Sequence, residues 1–148
     1  MIKIKDVKSI DFFLDVLPPT KTYQQKKISC KYGKPIIYEP KELKETRRLF
    51  ELYLNQYAPK EPFNNPISLS VQWNFPYKSN HKDGEYKYTR PDLDNLQKLL
   101  QDVMTTCGFW KDDSLICELQ TSKVWNNKKM GIYIKIKELE SMKGKNKQ

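Results

Sequence analysis

Four carboxylates, Asp92, Asp94, Asp112 and Asp113, stand at the two ends of one short stretch, RPDLDNLQKLLQDVMTTCGFWKDD, in a chain whose charge is otherwise strongly positive. Like charges brought together cost free energy unless a proton or a cation compensates. The grouping therefore points to an occupant of the site. Three cysteines, Cys30, Cys107 and Cys117, form neither an even set nor a CxxC pair, and His81 is the single histidine. That is too few soft ligands for a zinc site, so the thiols read as reduced and structural. A metal here would be hard and oxygen-liganded, of the magnesium or manganese type.

Asp92 and Asp94 are two residues apart, so at the start of a helix both can face one solvent pocket before the helical twist separates them. Helix capping is the competing account, because Asp accepts orphan N–H bonds at helix starts and complements the dipole. Capping needs one Asp and leaves Asp112 and Asp113 without a reason. Lys98 follows Asp94 by four residues, which also has two readings. It is either half of an exposed intrahelical ion pair contributing about 0.3–0.5 kcal/mol, or a cation that holds a phosphate and stabilises charge gathering on its oxygens. Convergence of the acids requires a helix over about 93–106, a tight GFW turn, and a returning strand over 115–125 lying against that helix.

The periodicity supplies those elements. Leu93, Leu96, Leu100, Val103 and Cys107 recur at three- and four-residue steps, and Gly108 stops the helix. Upstream, ISLSVQWNF alternates strictly, with Ile67, Leu69, Val71, Trp73 and Phe75 on one face, the clearest strand in the chain. PKELKETRRLFELYLNQYA, from Pro40, is an amphipathic helix ending near Pro59 that should pack on a sheet. An N-terminal strand within residues 1–14 leads into a basic, proline-stiffened loop, LPPTKTYQQKK. PYKSNHKDGEYKYTR is long for an idle connection and suits a mobile functional loop. LICELQTSKVW and GIYIKIK are two strands joined by a turn at residues 126–129. The element order does not alternate as a doubly wound sheet does. It predicts an α+β fold with two main helices on a mixed or mainly antiparallel sheet of about four strands.

With 148 residues the chain suits one domain, expected over residues 1–140, followed by a disordered basic tail over 141–148. The formal charge of +9, from 27 Lys and Arg against 18 Asp and Glu, favours a polyanionic partner such as nucleic acid. No apolar run approaches the roughly 20 residues that span a bilayer, and MIKIKDVKSID lacks the apolar core of a secretion signal. The expectation is a cytoplasmic protein with no membrane partner.

The run RPDLDNLQKLL, then GFWKDD, then a strand, with PPTKT near the N-terminus, resembles the RusA-type Holliday junction resolvases, whose signature is a basic residue, DxDNxxK and a GxWxDD turn after one helix. The resemblance runs from about Pro18 to Trp125 and is dense between Arg90 and Asp113. It implies a magnesium-dependent endonuclease that resolves branched DNA by paired nicks, with no small-molecule cofactor. Asp92, Asp94 and Asp113 would be the metal-binding catalytic carboxylates, with manganese as a possible substitute ion, and Lys98 the catalytic lysine. Thr20, Lys21, Thr22 and Tyr23 would form a DNA-contacting loop. A four-way junction is two-fold symmetric, so a homodimer is expected, in keeping with the resemblance.

Around that frame, Asp112 is assigned to orienting the metal-binding acids from behind or merely to the turn, and Asp102 to a solvated or hydrogen-bonded structural place. Lys21, Lys26, Lys27, Lys78, Lys82, Lys87 and Arg90 lie in loops that could flank the site and neutralise phosphates, although each alone reads as a surface cation. Tyr23, Tyr77, Tyr86 and Tyr88 could stack on unpaired bases or simply pack. His81 has no evident partner and no assigned role. Phe109, Trp110 and the apolar strand faces are the interface candidates. Against the nuclease stand a non-catalytic nucleic-acid-binding module and, less favoured, a transferase using DxD on a nucleotide-sugar. A pure binder gains nothing from carboxylates amid its basic surface, which would repel phosphate.

Overall fold

The computed structural model describes residues 8–22, 27–31 and 33–140, with the backbone alone for 27–31 and 35–38. In chain order the elements are β1 (Ser9–Leu14), β2 (Lys27–Lys31), β3 (Lys34–Tyr38), α1 (Lys41–Leu54), β4 (Ile67–Phe75), α2 (Leu93–Thr106), a 3-10 turn at Asp113–Leu115, β5 (Ile116–Trp125) and β6 (Gly131–Glu138). The alternation in β4 buries Ile67, Leu69, Val71, Trp73 and Phe75, as expected. Opposite Leu69, Val71 and Trp73 on the same face stand Ile136, Ile134 and Ile132 of β6. Phe12 and Leu14 of β1 extend that face beyond Ile134 and Ile132. Both helices cover it: Phe50 of α1 meets Trp73, with ring centroids 6.4 Å apart, and α2 buries Leu96, Leu99, Leu100, Val103 and Met104. The result is the two-layer α+β arrangement.

The four-stranded sheet has the order β1-β6-β4-β5, with β4 parallel to β5 and antiparallel to β6. The turn after Trp125 therefore does not close a hairpin. Burial gives the reason. Ile132, Ile134 and Ile136 are fully buried and belong between two strands, whereas Cys117, Glu118, Leu119 and Gln120 are exposed and belong at an edge. A parallel partner for β4 also needs a long crossover, which α2 supplies.

β2 and β3 form a separate antiparallel hairpin. Gly33, at φ +75°, lies just before β3. Pro35 weakens the strand reading, yet in a two-stranded ribbon both strands are edges and a proline is tolerated. Residues 76–90 are tied to the sheet rather than loose. Gly84 N–H donates to Trp125 O at 2.8 Å, Trp125 N–H to Glu85 O at 2.8 Å, and Lys87 N–H to Lys123 O at 3.0 Å. Asp83 Oδ1 accepts from Tyr77 Oη at 2.9 Å and from Asn127 N–H at 2.8 Å. His81 is not partnerless: its ring stacks on Trp125 at 4.4 Å, and Nδ1 lies 3.3 Å from Glu85 Oε1.

Gly108, at φ +82°, ends α2 as expected. The following turn is pinned to the core. Phe63 N–H donates to Phe109 O at 2.9 Å, Lys111 N–H to Phe63 O at 3.0 Å, and Trp110 Nε1 to Thr105 Oγ1 at 2.8 Å. Phe109 and Trp110 are both buried within the chain, so neither is free to form an interface. No helix among the described residues is long and apolar enough to cross a membrane.

Candidate active site

Asp92 occupies the N-cap position of α2 at φ −69° and ψ 139°, yet its side chain makes no capping hydrogen bond. Capping alone does not account for this carboxylate. Asp94 lies in the first helical turn and is exposed. The ion pairs within 4.0 Å among the described residues are Arg47 with Glu39, Arg47 with Asp102, and His81 with Glu85. Lys98 is in none of them, so the intrahelical pair with Asp94 is not formed. Asp102 has the structural place expected of it, 3.8 Å from Arg47.

After the pinned turn, Asp112 caps the 3-10 turn: its Oδ2 accepts from Ser114 N–H at 3.3 Å and from the Ser114 hydroxyl. Of the two readings of Asp112, these bonds support the turn. Asp113, the next residue, is exposed. Its chain position brings it back alongside α2, where Asp94, Lys98 and Asp113 line one cavity of about 610 Å³ together with Gln97, Leu119 and Thr121. Asp92 lines a second cavity of about 520 Å³ with Thr20, Lys21, Thr22, Arg90 and Asn95. The first turn of α2 contributes to both. Tyr23 and Lys26 lie outside the described residues, as does the side chain of Lys27.

Among the described residues, no three His, Cys, Asp or Glu side chains are gathered into a ligand set for a metal ion. Magnesium, however, commonly takes only one or two carboxylates and fills its other positions with water and substrate phosphate. Asp94 and Asp113 line one cavity, and carboxylate oxygens are the donor type a hard cation takes. Gln97, beside Lys98, is 4% exposed; its Nε2 donates to Gln101 Oε1 at 2.9 Å, while its own Oε1 has no partner among the described residues. Thr121 Oγ1 in the same cavity is likewise buried and unpaired. Nothing in the sequence marked either residue.

Lys87 departs from the expectation of a loop cation facing phosphate. It is 8% exposed, with Nζ 4.5 Å from the Trp125 ring centroid and 5.2 Å from that of Phe75. Burial, and then the charge of Lys123, lower its pKa below the ordinary lysine value. Its neighbours Tyr86 and Tyr88 point the other way and are 72% and 89% exposed. Tyr77 is engaged with Asp83.

Residues 17–137 match the family described as Endodeoxyribonuclease RusA. A Lactococcus phage r1t protein named Crossover junction endodeoxyribonuclease rusA is 39% identical over 131 residues, which is 87% of this chain and 96% of the relative. A protein of the same name from Aquifex aeolicus (strain VF5) is 29% identical over 140 residues, 93% of this chain and 98% of its own length. One from Escherichia coli O139:H28 (strain E24377A / ETEC) is 49% identical over 35 residues, 24% of this chain and 29% of the relative.

Proposed function

The chain belongs to the RusA family of endodeoxyribonucleases, and on that premise we propose that it resolves four-way DNA junctions by paired symmetric nicks, with Asp92, Asp94, Lys98 and Asp113 at the reacting centre. The observation that carries the site is the shared cavity: Asp94 and Asp113, from the two ends of α2, line it with Lys98, which has no ion-pair partner among the described residues, while Asp102 on the same lining is paired with Arg47.

Carboxylates alone would repel a phosphate, so the acids make sense as holders of a divalent cation, Asp94 and Asp113 from one cavity and Asp92 from the next. Magnesium is the ion we assign, with manganese as a substitute of similar chemistry. When bound, such a cation neutralises charge on the non-bridging oxygens of the scissile phosphate. Lys98 binds one of those oxygens and stabilises the charge that grows as a water oxygen bonds to phosphorus and the opposite P–O bond breaks. Arg90, Lys21 and the hydroxyls of Thr20 and Thr22, which share the second cavity with Asp92, hold a neighbouring phosphate and so align the strand.

One site cuts one strand. A two-fold junction therefore calls for a C2 homodimer presenting two equivalent sites. The test is incubation with a synthetic four-way junction and magnesium, using the parent chain, Asp92→Asn and Lys98→Ala. Paired nicks are expected from the parent, with at least about a hundredfold loss in each variant while junction binding is retained. Variants that cut as well as the parent would overturn the site.

A further inference from the structure

Three consecutive backbone carbonyls just before Asp92 are held from beneath by two ammonium groups. Lys87 Nζ donates to Arg90 O at 2.6 Å, to Thr89 O at 3.4 Å and to the Thr89 hydroxyl. Lys123 Nζ, from the edge strand β5, donates to Thr89 O at 2.7 Å and to Pro91 O at 2.6 Å. Neither lysine makes an ion pair within 4.0 Å among the described residues. Two like charges next to one carbonyl, one of them buried against Phe75 and Trp125, are an expensive way to fill space. An apolar side chain would serve the core better at position 87. What the lysines supply instead is donors, three per ammonium, for carbonyls that the irregular 89–91 segment cannot pair within a strand or helix.

From this we infer that Lys87 and Lys123 are positioning residues for strand cleavage: by drawing the carbonyls of Thr89, Arg90 and Pro91 inward, they fix the backbone that displays Arg90 and Asp92 outward to the DNA. Both displayed side chains are exposed and line the same cavity. The clamp joins the edge strand β5 to the segment entering α2, whose N-cap is Asp92. Misplacement by about 1 Å at such a site can cost about a hundredfold in rate. The inference rests on the reading of Asp92 as a site carboxylate.

Lys123→Met and Lys87→Met test it, each keeping an unbranched side chain; Lys123 is only half-buried, so its variant decides the matter should Lys87→Met fail to fold. Three readouts are taken: thermal midpoint, kcat and KM for junction cleavage well below that midpoint, and backbone amide exchange of peptides spanning residues 89–92 in the DNA-free protein. A clamp predicts at least a tenfold fall in kcat, KM within about threefold of the parent, faster exchange confined to 89–92, and a double variant much less impaired than the product of the singles. Activity within twofold of the parent, unchanged exchange at 89–92, or a loss that disappears on cooling each overturns it. Asp92→Asn run in parallel separates the two ideas. If that variant still cleaves, the site reading fails, whereas full dependence on Asp92 with an indifferent Lys123→Met removes the clamp alone.

Discussion

Gln97 is the residue whose chemistry least fits its surroundings. A buried amide oxygen without a donor costs about 1–3 kcal/mol, and Gln97 Oε1 is in that state beside Lys98 in the Asp94–Asp113 cavity. Methionine is close in length and carries no polar atom to leave unpaired. Gln97→Met is therefore expected to raise stability by about 1 kcal/mol, read as a higher urea midpoint at unchanged slope. Gln101, half-buried, can turn its released carbonyl to water. A lower midpoint would show that the amide is paired in solution. Lys87 teaches the complementary lesson: its sequence neighbours are polar, and only the rings of Trp125 and Phe75 make it a buried residue.

Among the elements, β1 and β6 approach closely beside Gly131, which has φ +149°. A Cβ added there would fall on Leu14 O and within 2.6 Å of the Phe13 ring. At Gly108, φ +82°, an added Cβ would meet nothing within 4 Å. The two glycines thus separate backbone strain from steric overlap. Gly108→Ala should cost about 1–2 kcal/mol through its left-handed backbone alone, and Gly131→Ala about 1–3 kcal/mol more because β1 must move off β6. Thermal or urea unfolding of both variants compares them, and equal losses would contradict the overlap. Since β1 is an edge strand remote in sequence from the acids, residual junction cleavage by folded Gly131→Ala should stay near that of the parent.

For the whole molecule, the charge of +9 makes junction binding an ion-exchange process. Affinity should fall linearly in log K against log salt, with a slope close to −0.9 per phosphate neutralised. Lys21→Ala, in the cavity shared by Arg90 and Asp92, is expected to weaken binding of all junction sequences alike and to reduce the magnitude of that slope by about one. An unchanged slope would place Lys21 off the DNA. Acids at the site work against binding of a phosphate backbone, which is why a nuclease and not a plain binder explains them.

The local code determined a good part of this protein without help. Period-two burial in β4, period-3.6 burial in α2 and the stop at Gly108 depend on neighbours a few residues away, so ISLSVQWNF and LDNLQKLL are legible as they stand. The density of RPDLDNLQK and GFWKDD was legible too, and it pointed to the family. Tertiary structure alone decided strand order, because the choice between pairing β6 with β5 or with β4 is made by which strand can afford an exposed edge, a competition across the whole sheet. It decided the fate of Phe109 and Trp110, which the pairing of residues 63–111 draws inside. It also decided that Lys98 has no intrahelical partner and that Lys87 and Lys123, far apart in the chain, meet at the carbonyl of Thr89. Contacts between distant residues are set by packing free energy summed over the molecule, and no local pattern records them.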